Sequence, residues 1–245
     1  MATARVIRIL PSARDVAVES ARILLDLATG ADEPPFVALS GGSTPKAMYE
    51  HLRGLDEIIV RPLRNVHYHF GDERSVDNYH ADSNVALAMD GFLRPLRIPY
   101  SKIHAPDGSA ADLDAEAARL TQLLESQRGG PAWPDGAFDL VYLGMGNDGH
   151  TASLFPGTRA LGATLAGFVA NEVPQLSTHR LTLTWPILNS ARHVVVMCAG
   201  EAKAEVLREV LEEANGKYPI ERLSPPRLTW LIDEAAASRL GRAAL

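Results

Sequence analysis

The chain has 245 residues, 46% of them hydrophobic, enough for one large core or two modest ones. A formal net charge of −6 provides no basic field for nucleic acid or anionic lipid, so an anionic substrate must be held by local cations. A single cysteine, Cys198, rules out a disulfide framework or a thiolate metal cluster within the chain, and no apolar run reaches membrane-spanning length.

Residues 1–10 are too short and interrupted for a signal peptide, which leaves the cytoplasm as the expected location. Ser12 is placed to cap a first helix, with Val16, Ile23, Leu24 and Leu27 on one face and Gly30 as its stop. Phe36–Leu39 has the length and composition of a buried strand, and it feeds into Ser40-Gly41-Gly42-Ser43-Thr44-Pro45-Lys46. Pro45 suits the first turn of the next helix and Gly54 ends it. Residues 66–70 form a second strand candidate. Asp82 or Ser83 then caps a helix with Val85, Met89, Phe92 and Leu93 on one face.

Residues 110–127 predict another helix and residues 139–143 another strand. Arg180-Leu181-Thr182-Leu183-Thr184 alternates with period two, the pattern of a half-exposed strand. Residues 193–199 predict a buried strand, with Cys198 as a small core residue rather than a nucleophile. A helix over 201–214, a turn at Asn215-Gly216, a strand over 228–232 and a short terminal helix complete the chain. Helices and apolar runs alternate throughout, which predicts an α/β fold with a mostly parallel sheet. Residues 127–136 are the most linker-like, but they interrupt the alternation without marking a boundary. The expectation is one domain over residues 1–245, with room for a small irregular insertion.

Four constellations carry chemistry. In Ser40-Gly41-Gly42-Ser43-Thr44-Pro45, adjacent glycines expose consecutive backbone N–H groups at the positive end of a helix. Ser43 and Thr44 add hydroxyls, so the loop suits a phosphate monoester, although an ordinary strand-to-helix turn has the same form. It lacks both the P-loop spacing and the dinucleotide-binding fingerprint. Next, Asp72, Glu73 and Arg74 directly follow an apolar run, where a parallel sheet places ligands. A cation there can neutralise a substrate anion and a carboxylate can act as base; a solvated loop with a local ion pair fits equally.

The third constellation spans residues 138–157, where a strand stops at Gly144-Met145-Gly146-Asn147-Asp148-Gly149-His150. These glycines permit positive φ and close approach to a ligand. His150 is a general-base candidate, and Asp148 can orient its ring if the turn is tight. Asn147 shares that turn, while the compact spacing of a metal site is missing. His67, His69, His80 and His193 are left outside the site as structural or surface residues. The fourth is cationic: Arg180, and Lys203 in the first turn of a helix, where a cation opposes the helix dipole unless an anion is near.

In these motifs and their order, the chain resembles the 6-phosphogluconolactonase family, relatives of the glucosamine-6-phosphate deaminases, over nearly its whole length. The resemblance rests on Ala38-Leu39-Ser40-Gly41-Gly42-Ser43-Thr44-Pro45, on Gly71-Asp72-Glu73-Arg74, and on the run from Gly144 through Asp148-Gly149-His150-Thr151-Ala152-Ser153-Leu154-Phe155-Pro156. Arg180-Leu181-Thr182-Leu183-Thr184 and Gly200-Glu201-Ala202-Lys203-Ala204 complete it.

The resemblance implies a Rossmann-like, mostly parallel sheet with helices on both faces. It further implies hydrolysis of 6-phospho-D-glucono-1,5-lactone in the pentose phosphate pathway, with no metal or organic cofactor. By similarity, His150 activates water with support from Asp148, and Gly41, Gly42, Ser43, Thr44, Arg180 and Lys203 hold the 6-phosphate. Arg74 and Asp72 face the sugar acid end, and Asn147 is counted among the substrate-binding residues. The deaminases carry a glutamate ahead of the proline where this chain has Phe155, so the lactonase branch is expected. The expected partner is a small sugar-phosphate lactone, with neither nucleic acid nor membrane, for a monomer or small homo-oligomer.

Overall fold

The structure, a computed structural model, describes residues 3–129 and 136–241. Residues 130–135 of the linker-like stretch lie outside the described residues.

The N-terminal segment, read above only for targeting, is strand β1 (Ala4–Leu10). Helix α1 (Ala13–Gly30) follows, with the Ser12 hydroxyl accepting the Asp15 N–H at its start. Next come β2 (Phe36–Leu39), α2 (Ser43–Arg53), the single turn α3 (Glu57–Val60), β3 (His67–Phe70) and β4 (Asp72–Arg74). Then α4 (Asn84–Ala88), α5 (Leu113–Arg128), β5 (Leu140–Gly144), β6 (Phe168–Val173) and β7 (Thr178–Leu183). The chain continues through α6 (Trp185–Ser190), β8 (His193–Cys198), α7 (Ala204–Arg208) and β9 (Arg227–Asp233).

Six strands pair in the order β1-β9-β8-β5-β2-β3, every pairing parallel. The central strands are apolar on both sides because both faces of the sheet are covered. Val37, Leu39, Leu140, Tyr142, Val195 and Met197 pack with Val16 and Leu24 of α1 and Met48 and Leu52 of α2. The alternate residues Ala38, Val141, Leu143, Val194 and Val196 pack with Leu120 and Leu124 of α5 and Ile187 and Leu188 of α6. Cys198 lies in this second layer, and burial pushes its thiol up to about 12, which makes it unreactive.

Three expectations are corrected. The strand containing Arg180 belongs to a separate antiparallel sheet, β4-β7-β6, and its Leu181, Thr182 and Leu183 are buried rather than half-exposed. Strand β6 was not predicted, since Phe168-Val169-Ala170-Asn171-Glu172-Val173 lacks a clean alternation. The residues after β9 form turns instead of a helix, with the Asp233 carboxylate accepting the N–H groups of Ala236 and Gly200. The helix expected over 201–214 is present but uneven, tight over Glu201–Lys203 and widened over Glu209–Glu213. Among the described residues, no helix is long and apolar enough to cross a membrane.

One buried bond ties α1 to the sheet: the Tyr142 hydroxyl donates to the Ser20 carbonyl at 2.6 Å. Tyr142→Phe should destabilise the fold by about 1 kcal/mol, read from the urea midpoint. An unchanged midpoint would show that the bond adds no net stability.

Candidate active site

Parallel pairing of β2, β5 and β8 brings the loops after Leu39, Gly144 and Cys198 to one edge of the sheet. They enclose an open cleft of about 560 Å³ with the β4–β7 pair along its side. Gly41, Gly42, Ser43, Thr44, Asp72, Arg74, Asn147, Asp148, His150, Arg180 and Lys203 all line it. Of the charged residues Asp72, Glu73 and Arg74, Glu73 alone is turned away from this place.

The loop after β2 enters α2 through Gly42, whose φ of 106° is strained for any other residue. The first-turn N–H groups of α2 have no carbonyl within the helix and point out of its N-terminus. Below the loop, the Tyr49 hydroxyl donates to the Ser40 carbonyl at 2.7 Å.

Asp72 and Glu73 face opposite ways along β4 and serve different ends. Glu73 is fully buried away from the cleft, where its carboxylate accepts the N–H groups of Arg74, Asn84 and Val85 and the Ser83 hydroxyl, all within 2.9 Å. It therefore anchors the start of α4. Burial pushes its carboxyl above the ordinary range, and those hydrogen bonds limit the rise.

Asp72 lines the cleft, accepting the Ser153 hydroxyl at 2.7 Å and the Asn84 amide at 3.1 Å. Arg74 donates instead to the Asp82 carbonyl, and among the described residues no ion pair joins it to Asp72.

Arg74 and Arg180 are register partners across β4 and β7. Like charges placed directly opposite one another destabilise a sheet. Burial first, and then the neighbouring Arg74, lower the Arg180 guanidinium from its ordinary value. Lys203 adds a third cation to the cleft at the end of the loop that starts at Gly200. An anion between these groups would relieve the repulsion.

The turn after β5 brings the acid–imidazole pair to the same cleft. This turn is tight: the Gly146 N–H reaches the His150 carbonyl at 2.9 Å and the Gly149 N–H reaches the Gly146 carbonyl at 3.1 Å. Asp148 accordingly accepts the His150 ring Nδ1–H at 2.5 Å. A Cβ on Gly146 would lie 2.1 Å from that ring nitrogen, so only glycine leaves room for the pair. Partial burial alone would raise the Asp148 carboxyl, but the bond to His150 and the ring's charge outweigh it, leaving it below the ordinary value. Ala152, beside the pair, has a φ of 47°, a strained conformation of the kind that gathers at functional sites.

Sequence reasoning missed Asn84, Ser153 and Asn171. Asn84 braces Asp72, and Asn171 ties the loop after His150 to β6 by donating to the Ser153 carbonyl at 2.8 Å. Nothing local marks these residues, since their partners come from distant parts of the chain.

The model of the glucosamine-6-phosphate isomerases/6-phosphogluconolactonase family matches residues 12–231. The chain belongs to this family. Curated relatives named 6-phosphogluconolactonase include one from Synechocystis, 38% identical over 83% of this chain and 84% of the relative. Another, from Chlamydia muridarum, is 38% identical over 80% of this chain and 74% of the relative. The solved 6-phosphogluconolactonase of Trypanosoma cruzi superposes with a TM-score of 0.85 at 26% identity, covering 98% of each chain. That relative thus shares the mostly parallel α/β architecture of this chain.

The buried brace has a stability consequence. In Glu73→Gln the amide NH₂ must confront backbone N–H donors, and the loss should be roughly 2 kcal/mol or more in chemical denaturation. A midpoint equal to wild type would mean that Glu73 does not anchor α4.

Proposed function

We propose that the chain is a 6-phosphogluconolactonase, hydrolysing 6-phospho-D-glucono-1,5-lactone to 6-phosphogluconate in the pentose phosphate pathway, with His150 as the base that activates water. The carrying observation is the His150–Asp148 pair, 2.5 Å apart, in one cleft with the cations Arg74, Arg180 and Lys203. The names of the curated relatives support the substrate. Phe155, an apolar residue with no proton to exchange, follows the histidine and favours hydrolysis over deamination.

With Nδ1–H donated to Asp148, the lone pair of the neutral ring lies on Nε2. Nε2 takes a proton from water as the oxygen attacks the lactone carbonyl carbon, and negative charge builds on the carbonyl oxygen. Arg74 or loop N–H groups supply donors to that oxyanion. When the tetrahedral intermediate collapses, the ring oxygen leaves as an alkoxide and receives the proton from the imidazolium. Asp148 stabilises the imidazolium between the two transfers. Asp72, held by Ser153 and Asn84, orients the sugar hydroxyls. The phosphate, bound by Gly41, Gly42, Ser43, Thr44, Arg180 and Lys203, is remote from the reacting carbon, so its binding energy orients the ring.

The deciding assay follows loss of freshly generated lactone, corrected for spontaneous hydrolysis, beside ammonia release from glucosamine 6-phosphate. Lactone loss without ammonia is expected; ammonia without lactone loss would overturn the reading. His150→Ala should lower kcat by about 10²–10⁴-fold while 6-phosphogluconate still binds, and near-normal turnover would remove its role as base. Arg180→Ala and Lys203→Ala should each raise KM roughly tenfold or more, as expected for lost charge-assisted hydrogen bonds. An unchanged KM in both would place the phosphate elsewhere.

A further inference from the structure

Phe155 is only 5% exposed, yet it belongs to neither of the apolar clusters that cover the sheet. Its ring lies instead on the His150 imidazole, with centroids 3.9 Å apart and planes inclined by 26°. An apolar side chain buried at a cleft but outside the core invites a reason other than packing. We propose that Phe155 is a positioning residue for His150, a rigid plate that holds the imidazole in the plane from which Nε2 faces the cleft. This rests on the reading of His150 as the base.

The physical need for such a plate is plain. The χ2 torsion of histidine joins an sp³ to an sp² carbon, so its well is broad and does not fix the ring plane. Asp148 restrains one edge through Nδ1, but its side chain is 45% exposed and can move with the ring. Phe155 restrains the face, and its own mount is stiff. The Phe155 carbonyl accepts the Thr158 hydroxyl at 2.9 Å and the Thr158 N–H at 3.2 Å. The Asn171 amide in turn donates to the Thr158 hydroxyl oxygen at 3.0 Å and to the Ser153 carbonyl at 2.8 Å. Asn171 is completely buried, so the turn carrying Phe155 is pinned to β6 at two points. Stacked aromatic planes also attract one another, which deepens the energy well for this ring orientation.

The plate therefore acts on the chemical step and leaves substrate binding alone. Misplacing a reacting group by a fraction of its bond length is felt mainly in kcat. Phe155→Leu, which keeps the site apolar but removes the plate, should lower kcat by about tenfold to a hundredfold with KM within about twofold. Phe155→Tyr, which keeps the ring, should restore most of the turnover.

A separate measurement reads the stack without any mutation or substrate. The carbon-bound ring protons of His150 in the wild-type protein should resonate upfield through the ring current of Phe155. In Phe155→Leu they should return to ordinary positions. Unshifted wild-type protons, a Phe155→Leu variant with kcat within about twofold of wild type, or equal losses in the Leu and Tyr variants would each overturn the proposal. Upfield-shifted protons in a chain without lactonase activity would uphold the plate and overturn the reaction instead, so the two failures are told apart.

Discussion

Parallel pairing of β2, β5 and β8 is the constraint on which the cleft depends. Three strands running the same way must end at the same edge, and each must hand its chain to a connection that crosses back over the sheet. The loops after Leu39, Gly144 and Cys198 are thereby forced together, whatever their sequences. Residues more than a hundred positions apart, such as Gly42 and Asp148, come to line one cavity. The sheet can sustain this because both faces are covered, so its strands gain stability from apolar burial on each side.

The small antiparallel sheet adds what the large one lacks. Its β4–β7 pairing sets Arg74 opposite Arg180, a like-charge arrangement that works against the sheet and in favour of an anion. In a chain of net charge −6, this local concentration of cations stands out as a patch of opposite sign at the cleft. The turn after β5 adds different physics to the same cleft: a tight glycine turn, an imidazole and a carboxylate in contact, and a phenyl ring laid on the imidazole.

A set of buried hydrogen bonds joins the elements around the cleft. Glu73 anchors α4, Asn84 links α4 to Asp72, Ser153 links Asp72 to the loop after His150, and Asn171 links that loop to β6. Each member has its partners in a different part of the chain, so satisfying one polar group positions the next. This continuity explains how a site assembled largely from loops can hold an imidazole in one orientation.

Much of this was legible in the sequence, for a definite reason. Helix caps, glycine turns and continuous apolar runs are local, so Ser12, Phe36–Leu39 and the turn at Gly144-Met145-Gly146-Asn147-Asp148-Gly149-His150 declare themselves by composition and spacing alone. The same local chemistry marked the glycine loop, Asp72, Arg74, Asp148, His150, Arg180 and Lys203, but not Asn84 or Ser153, which also line the cleft. What only the tertiary structure decided is non-local. The opposition of Arg74 and Arg180 follows from strand register, and the braces at Glu73, Asn84 and Asn171 follow from partners 11, 12 and 13 positions away, beyond the reach of helix and turn spacing. The stacking of Phe155 on His150 follows from the path of a loop pinned at Thr158. Residue type sets what a group can do; the distances that select among those possibilities arise only when the chain has packed.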